Sequence, residues 1–268
     1  VAFQHDHKLY LARLGHAERA IAHRELPLGW TSDGLFTYRY PGRQLVLRSA
    51  SGALMKVIAR GPLGSDYSVT NGTLYFITRG SLMSAYSTHV RQLASLTRLG
   101  LSANTWLQPL GRLAELQDNY RLVVVRANGS VFASTQLPIT RDQGENISSS
   151  LVIAPQLRSV AFTIAYDRTG KPSAKRPSGT ETVYLLRAGA SAPIPIHRGH
   201  VQFAVCERGA SLEWNGHWLL YTNTEGTLAA IDTTAPHHTI ELRSLVNSLP
   251  GTRHGFTPSW GGPLTSDG

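Results

Sequence analysis

The chain has 268 residues, of which 41% are hydrophobic, 8% aromatic and 16% charged, with 25 glycines and 14 prolines. This is enough apolar chain for a sizeable core, which excludes a disordered protein, and the single cysteine, Cys206, excludes a disulfide framework and a multi-cysteine zinc module. Lysine and arginine outnumber aspartate and glutamate by 26 to 17, a formal charge of +9 that favours acidic partners, although the basic residues are dispersed.

Short apolar runs begin at the first residue and recur along the whole chain. The first group is VAFQHD from Val1, KLYLARLG from Lys8 and ERAIAHR from Glu18. The second is LGWTSD from Leu28, LFTYRY from Leu35, QLVLRSASG from Gln44 and LMKVIAR from Leu54. YSVTN from Tyr67, LYFITR from Leu74, SLMSAYST from Ser81 and VRQLASLT from Val90 make the third. The fourth has TWLQPL from Thr105, RLAELQ from Arg112, RLVVVRANG from Arg121 and VFASTQLP from Val131. SLVIAP from Ser150, VAFTIAYD from Val160, TVYLLRAGA from Thr182 and APIPIHR from Ala192 follow. The sixth group is SLEWN from Ser211, WLLYTN from Trp218, TLAAIDTTA from Thr227 and HTIELRSL from His238, and GFTPSWGG from Gly255 stands last.

Alternating Val, Ile, Leu, Tyr and Phe punctuated by Gly, Asn and Pro reads as strands joined by tight turns. Asp33-Gly34, Asn71-Gly72, Asn215-Gly216 and Gly261-Gly262 are suited to hairpin turns with positive φ. The matched positions Leu9, Leu45, Leu82, Leu122, Val183 and Leu228 are spaced by 36, 37, 40, 61 and 45 residues, so the chain is a repeat of six units. The expected fold is all-β: one six-bladed β-propeller domain over 1–268, four antiparallel strands to a blade. Blade 1 is expected from 1–25 plus 255–262, the last strand closing the ring, which removes an open sheet edge. A β-sandwich also uses short, regularly spaced strands, but six ordered quartets favour the propeller. The long fifth spacing is assigned to a basic Pro/Gly/Ser-rich loop insertion over 167–181, read as a lid or contact arm, or as a tolerated surface insertion.

This layout resembles the six-bladed propellers of the TolB-like, PD40-repeat (WD40-like) kind over essentially the whole chain. The resemblance is carried by Thr257-Pro258-Ser259-Trp260, by Val1-Ala2-Phe3 and by Val160-Ala161-Phe162. Gly29-Trp30-Thr31-Ser32-Asp33-Gly34 keeps the S-D-G turn, and the fourth unit keeps only Trp106 and Pro109. The resemblance implies an extracytoplasmic binding scaffold that meets protein or peptide partners across one face.

In such a blade, the loop between second and third strands and the loop leaving for the next blade share one end, where a rigid scaffold presents recognition residues. That end is expected to be positive. Arg43, Arg79 and Arg168 lie on the second-to-third loops, and Arg141, Arg208 and Arg253 on the loops between blades; these six are the expected ligand contacts. Arg24, Glu25, Glu145, Glu181 and Arg198 are placed on the same loops. A metal reading attaches to His7, His200, Cys206 and His254, an imidazole and thiolate set of borderline softness, and to His5-x-His7, which would share one face of a strand. Those spacings match no zinc signature, and no cofactor is expected. The tryptophans of the leading strands, Trp30, Trp106, Trp214 and Trp260, are expected to fill space between blades, with Trp218 in a similar structural role.

No G-x-S-x-G, H-E-x-x-H, P-loop or calcium-loop pattern occurs, so the leading expectation is a non-enzymatic binding module or sensor for a protein, a peptide or an acidic ligand such as a glycan. The alternative is a hydrolase or lyase working in the central funnel, with or without a metal, on fold analogy alone. Nucleic acid has only the charge in its favour. No apolar stretch is long enough to cross a membrane as a helix. The start at Val1 inside an apolar run points to a removed signal peptide or anchor, and hence to a secreted protein, a lipoprotein or another extracytoplasmic placement.

Overall fold

The computed structural model describes residues 1–61, 63–102, 104–110, 113–118, 121–137, 145–146, 151–156, 158–167, 178–202, 211–222, 228–235 and 238–241. Among them, strands form six antiparallel sheets in chain order, and the one helical element is a 3-10 turn at Thr97–Leu99. This is the all-β strand plan of a β-propeller, one up-and-down meander to a blade. Two compact units divide the chain, Val1–Ser134 and Thr135–Gly268.

Unit 1 begins with a three-stranded sheet of β1 (Ala2–His5), β2 (Lys8–Leu11) and β3 (Arg19–His23). The second sheet is β4 (Glu25–Thr31), β5 (Gly34–Arg39), β6 (Gln44–Arg48) and β7 (Leu54–Arg60), in that order. The third is β8 (Leu63–Thr70), β9 (Thr73–Thr78), β10 (Ser81–Tyr86) and β11 (His89–Ser95). The fourth is β12 (Trp106–Leu110), β13 (Leu113–Gln117), β14 (Arg121–Arg126) and β15 (Val131–Gln136). In unit 2, β16 (Glu145–Asn146) and β17 (Val152–Ile153) both pair with β18 (Ser159–Asp167), which continues into β19 (Ser178–Arg187) and β20 (Ile194–Gln202). The sixth sheet is β21 (Ser211–Asn215), β22 (Trp218–Thr222), β23 (Leu228–Asp232) and β24 (Thr239–Glu241). The expected closing strand, 255–262, lies outside the described residues.

Outside the first sheet, both faces of the inner strands are largely buried, which is why they read as continuous apolar runs. On β9, Leu74 and Phe76 join Phe36, Leu45, Leu47 and Ala85 in one core cluster. Their neighbours Tyr75 and Ile77 point the other way and pack with Ala114, Leu116, Val123 and Val125. Unit 2 repeats this between its own sheets, where Ala161, Val183, Leu185 and Ile196 meet Leu212, Leu219, Tyr221 and Ile231. The outer ladder is bulged in four sheets, at Leu9/Tyr10, at Leu45/Val46 and Leu47/Arg48, at Leu82/Met83 and at Val183/Tyr184. Such bulges bend the strand and raise its twist.

Two glycines show different uses of the same residue. Asn71 and Gly72 form the expected two-residue turn with φ of 48° and 73°. Gly34 does not: Ser32 and Asp33 make that turn, and Gly34 opens β5 opposite Thr31. A Cβ on Gly34 would stand 1.9 Å from the Arg48 carbonyl oxygen, so close backbone approach, not a left-handed φ, requires the glycine.

Three further expectations change. β18 reaches Asp167 and β19 starts at Ser178, paired Asp167 to Gly179, so both ends of the expected 167–181 loop are ladder; residues 168–177 lie outside the described set. Glu145, Glu181 and Arg198, expected on loops, lie in β16, β19 and β20. Trp30 and Trp106 are 43% and 39% exposed, whereas Trp218 is buried and Trp214 packs against the unit 2 core, so the first two do not fill space between blades.

Side chains also tie each sheet of unit 1 to the next. Arg19 of β3 donates to the Ser51 carbonyl, Lys56 of β7 to the Thr88 carbonyl at 2.6 Å, and Arg91 of β11 to the Ala127 carbonyl. In each case a cation on an outer strand reaches the turn between third and fourth strands of the following sheet. Part of the dispersed basic charge is therefore structural.

Candidate recognition end

Antiparallel order puts the turns β1–β2, β5–β6 and β9–β10 at the same end of their sheets as the connections β3–β4 and β7–β8. The sheets agree in sense: Thr31, at the opposite end of β4, lies 3.6 Å from the Cβ position of Gly72, at the opposite end of β8. Hydrogen bonds lock the first part of this end together. The Arg24 N–H donates to the His7 carbonyl at 2.6 Å, and the Arg24 carbonyl accepts from the Tyr40 N–H at 2.9 Å. Gln4 Nε2 donates to the Tyr40 hydroxyl, which also lies 3.4 Å from His7 Nδ1.

Seven non-glycine residues among those described have positive φ, and five of them, Asp6, His7, Arg24, Arg43 and Arg79, stand at this end. Left-handed backbone is costly for residues with a Cβ, and an arginine offers no local side-chain hydrogen bond in return as asparagine or aspartate does. Arg24, Arg43 and Arg79 adopt φ of 56°, 46° and 48°. Glycine or asparagine would suit each turn better, so the arginines are held there against backbone preference. All three are exposed, and no hydrogen bond or ion pair of their guanidinium groups is found among the described residues.

The acid expected to offset them faces inward. Glu25, next to Arg24, is 1% exposed and accepts from Arg48 Nε and Nη2 at 2.7 and 2.8 Å, from Arg39 Nε at 2.7 Å and from the Thr37 hydroxyl at 2.8 Å. Burial alone would raise its pKa, but the hydrogen bonds from Arg48, Arg39 and Thr37 outweigh that and hold it at about 2. Its charge is thus consumed inside the second sheet. In unit 2, Glu181 is likewise fully buried and accepts from the Tyr221 hydroxyl at 2.8 Å. Gly199, opposite Glu181 in the ladder, makes room: a Cβ there would lie 2.6 Å from that hydroxyl.

Of the six expected ligand contacts, Arg43 and Arg79 fall on turn tips as placed, and Arg141, Arg168, Arg208 and Arg253 lie outside the described residues. Arg24, expected on the same loops, stands with Arg43 and Arg79 at this end and shares their left-handed φ, which no sequence pattern marks. The His5-x-His7 pair does not share a strand face: β1 ends at His5, and Asp6 and His7, with φ of 47° and 60°, form the turn to β2. His5 instead lies 3.3 Å from Asp6. His200 is in β20 opposite Thr180, and Cys206 and His254 lie outside the described residues. Among the described residues no three His, Cys, Asp or Glu side chains gather as a metal site.

No family model matches the chain, and no curated protein matches it. Among solved structures it is similar to Kluyveromyces lactis Hsv2, at 11% identity and a TM-score of 0.49 over 80% of this chain and 69% of that one. It is also similar to BamB from Moraxella catarrhalis, at 17% identity and a TM-score of 0.43 over 79% and 62% of the two chains. The Neurospora crassa Pan2 WD40 domain is similar at 11% identity and a TM-score of 0.44 over 88% and 75%.

Proposed function

We propose that the chain is a β-propeller binding module that holds an acidic segment of a protein or peptide on the end carrying Arg24, Arg43 and Arg79. The observation that supports this is the set of exposed guanidinium groups, without a hydrogen bond or ion pair among the described residues, carried on left-handed residues that cost stability. Arginine suits the role because its planar fork meets carboxylates bidentately. Arg141, Arg168, Arg208 and Arg253 extend the same surface in this reading, and residues 255–262 complete the first blade as part of a single domain. The TolB-like resemblance adds an extracytoplasmic setting.

The test is binding of a fluorescent poly-glutamate peptide by anisotropy at rising salt. Binding that weakens steeply with salt and is lost in Arg24→Glu/Arg43→Glu/Arg79→Glu supports the reading. Salt-insensitive binding, or equal binding by the triple variant, removes it.

A further inference from the structure

At the opposite end of unit 1, the seam between the third and fourth sheets opens into a cavity of about 270 Å³. Its floor is two cross-strand rows on one face of the third sheet: Thr73, Tyr86 and His89 in the first, and Tyr75, Ser84 and Arg91 in the second. Further along the same face, Ile77 and Leu82 are apolar and pack against the fourth sheet. The change from an apolar seam to two cross-strand rows of polar side chains is what a structural contact between sheets does not need.

Every one of the six can donate a hydrogen bond, and no carboxylate lines the cavity. Arg91 is held in place: its Nε donates to the Ser84 hydroxyl at 3.4 Å and its Nη2 to the Ala127 carbonyl, which leaves its remaining N–H groups for another acceptor. Tyr75 is only 3% exposed, lines the cavity, and has no hydrogen-bond partner for its hydroxyl among the described residues. Burial raises that phenol above its ordinary range against the opposing influence of Arg91, so at neutral pH it is a donor. A related cavity of about 300 Å³ recurs between the first and second sheets, lined by Arg13, His16 and Arg19. Arg19 is tied there to Ser51 as Arg91 is to Ala127.

We propose that the cavity between the third and fourth sheets binds a small oxyanion, the phosphate or carboxylate group of a ligand, seated on Arg91 and His89 and receiving hydrogen bonds from the Tyr75 and Thr73 hydroxyls. Arg91 is already held by Ser84 and the Ala127 carbonyl before binding, which limits its ordering cost. The site is independent of the arginine turns at the other end.

The test is titration of the ¹⁵N-labelled protein with inorganic phosphate and, separately, with acetate, following the His89 ring and Arg91 signals by NMR. Saturable shifts with at least one anion are expected, weakened about tenfold in Arg91→Met. Tyr75→Phe, which keeps the ring in the core and removes only the hydroxyl, is expected to weaken binding several-fold, and it decides the matter if loss of the Ala127 tie prevents Arg91→Met from folding. Arg43→Glu/Arg79→Glu is expected to bind as the parent does. No saturable shift with either anion, or unchanged affinity in Tyr75→Phe, overturns the proposal. Acetate without phosphate, or the reverse, assigns the group.

Discussion

Glu115 on β13 is 2% exposed, and among the described residues neither carboxyl oxygen has a hydrogen-bond partner, nor has the Gln117 amide nitrogen two residues along the same face. Burial pushes its pKa from 4.5 up to about 8, with no neighbouring charge contributing. Well below pH 4.5 the group is neutral folded or unfolded and adds no pH-dependent cost. Between there and pH 8 the unfolded chain gives up a proton that the folded chain keeps, so stability falls as pH rises, by about 1.4 kcal/mol per pH unit. The loss is on the order of 3 kcal/mol at pH 7 and 5 kcal/mol at pH 8, beyond which the slope vanishes. Glu115→Gln keeps the shape and removes the titration. Urea unfolding followed by tryptophan fluorescence at pH 5, 6, 7 and 8 is expected to show the variant gaining on the parent with that slope, with little difference at pH 5. Parallel stability curves across that range would mean instead that the carboxyl is solvated or paired in the fold.

Glu25 behaves oppositely. Its lowered pKa supplies stability that is complete above pH 4.5 and is lost as pH falls towards 2, roughly 3 kcal/mol in all, so Glu25→Gln is expected to flatten the acid limb of the unfolding curve and to cost a comparable amount at pH 7 by stranding Arg48. Arg79→Asn and Arg43→Asn are each expected to raise stability by up to about 1 kcal/mol by relieving left-handed arginine while weakening acidic-peptide binding, a pairing read by thermal melts and anisotropy. Gly199→Ala drives a Cβ into the Tyr221 hydroxyl and breaks its bond to Glu181; a loss of about 2 kcal/mol or more in urea melts is expected. Gly34→Ala is expected to prevent folding of the second sheet, seen as loss of near-ultraviolet circular dichroism, because its contact is with unyielding backbone.

Strand order was legible because the inner strands of most sheets bury both faces: runs such as Leu74 to Ile77 admit little but an inner strand, and Asn71-Gly72 names its own turn. Gly34 was misread because a dipeptide shows which φ a glycine permits and not what lies opposite it across the ladder. Glu25 and Glu181 looked like loop acids since a carboxylate beside an apolar run carries no mark of burial; the partners that make burial tolerable, Arg48 and Tyr221, stand 23 and 40 residues away. The cavity at Arg91 was hidden because its six polar residues alternate with apolar residues along three strands and come together only when the strands pair.

The cationic ties between sheets have a direction. Arg19, Lys56 and Arg91 each precede their acceptor, by 32, 32 and 36 residues, so the donor always leaves the ribosome one repeat ahead of the carbonyl it will hold. A growing chain therefore carries at its newest outer strand a charge without an acceptor, which each following sheet satisfies as it forms. A cut between sheets leaves its exposed donor on the upstream fragment.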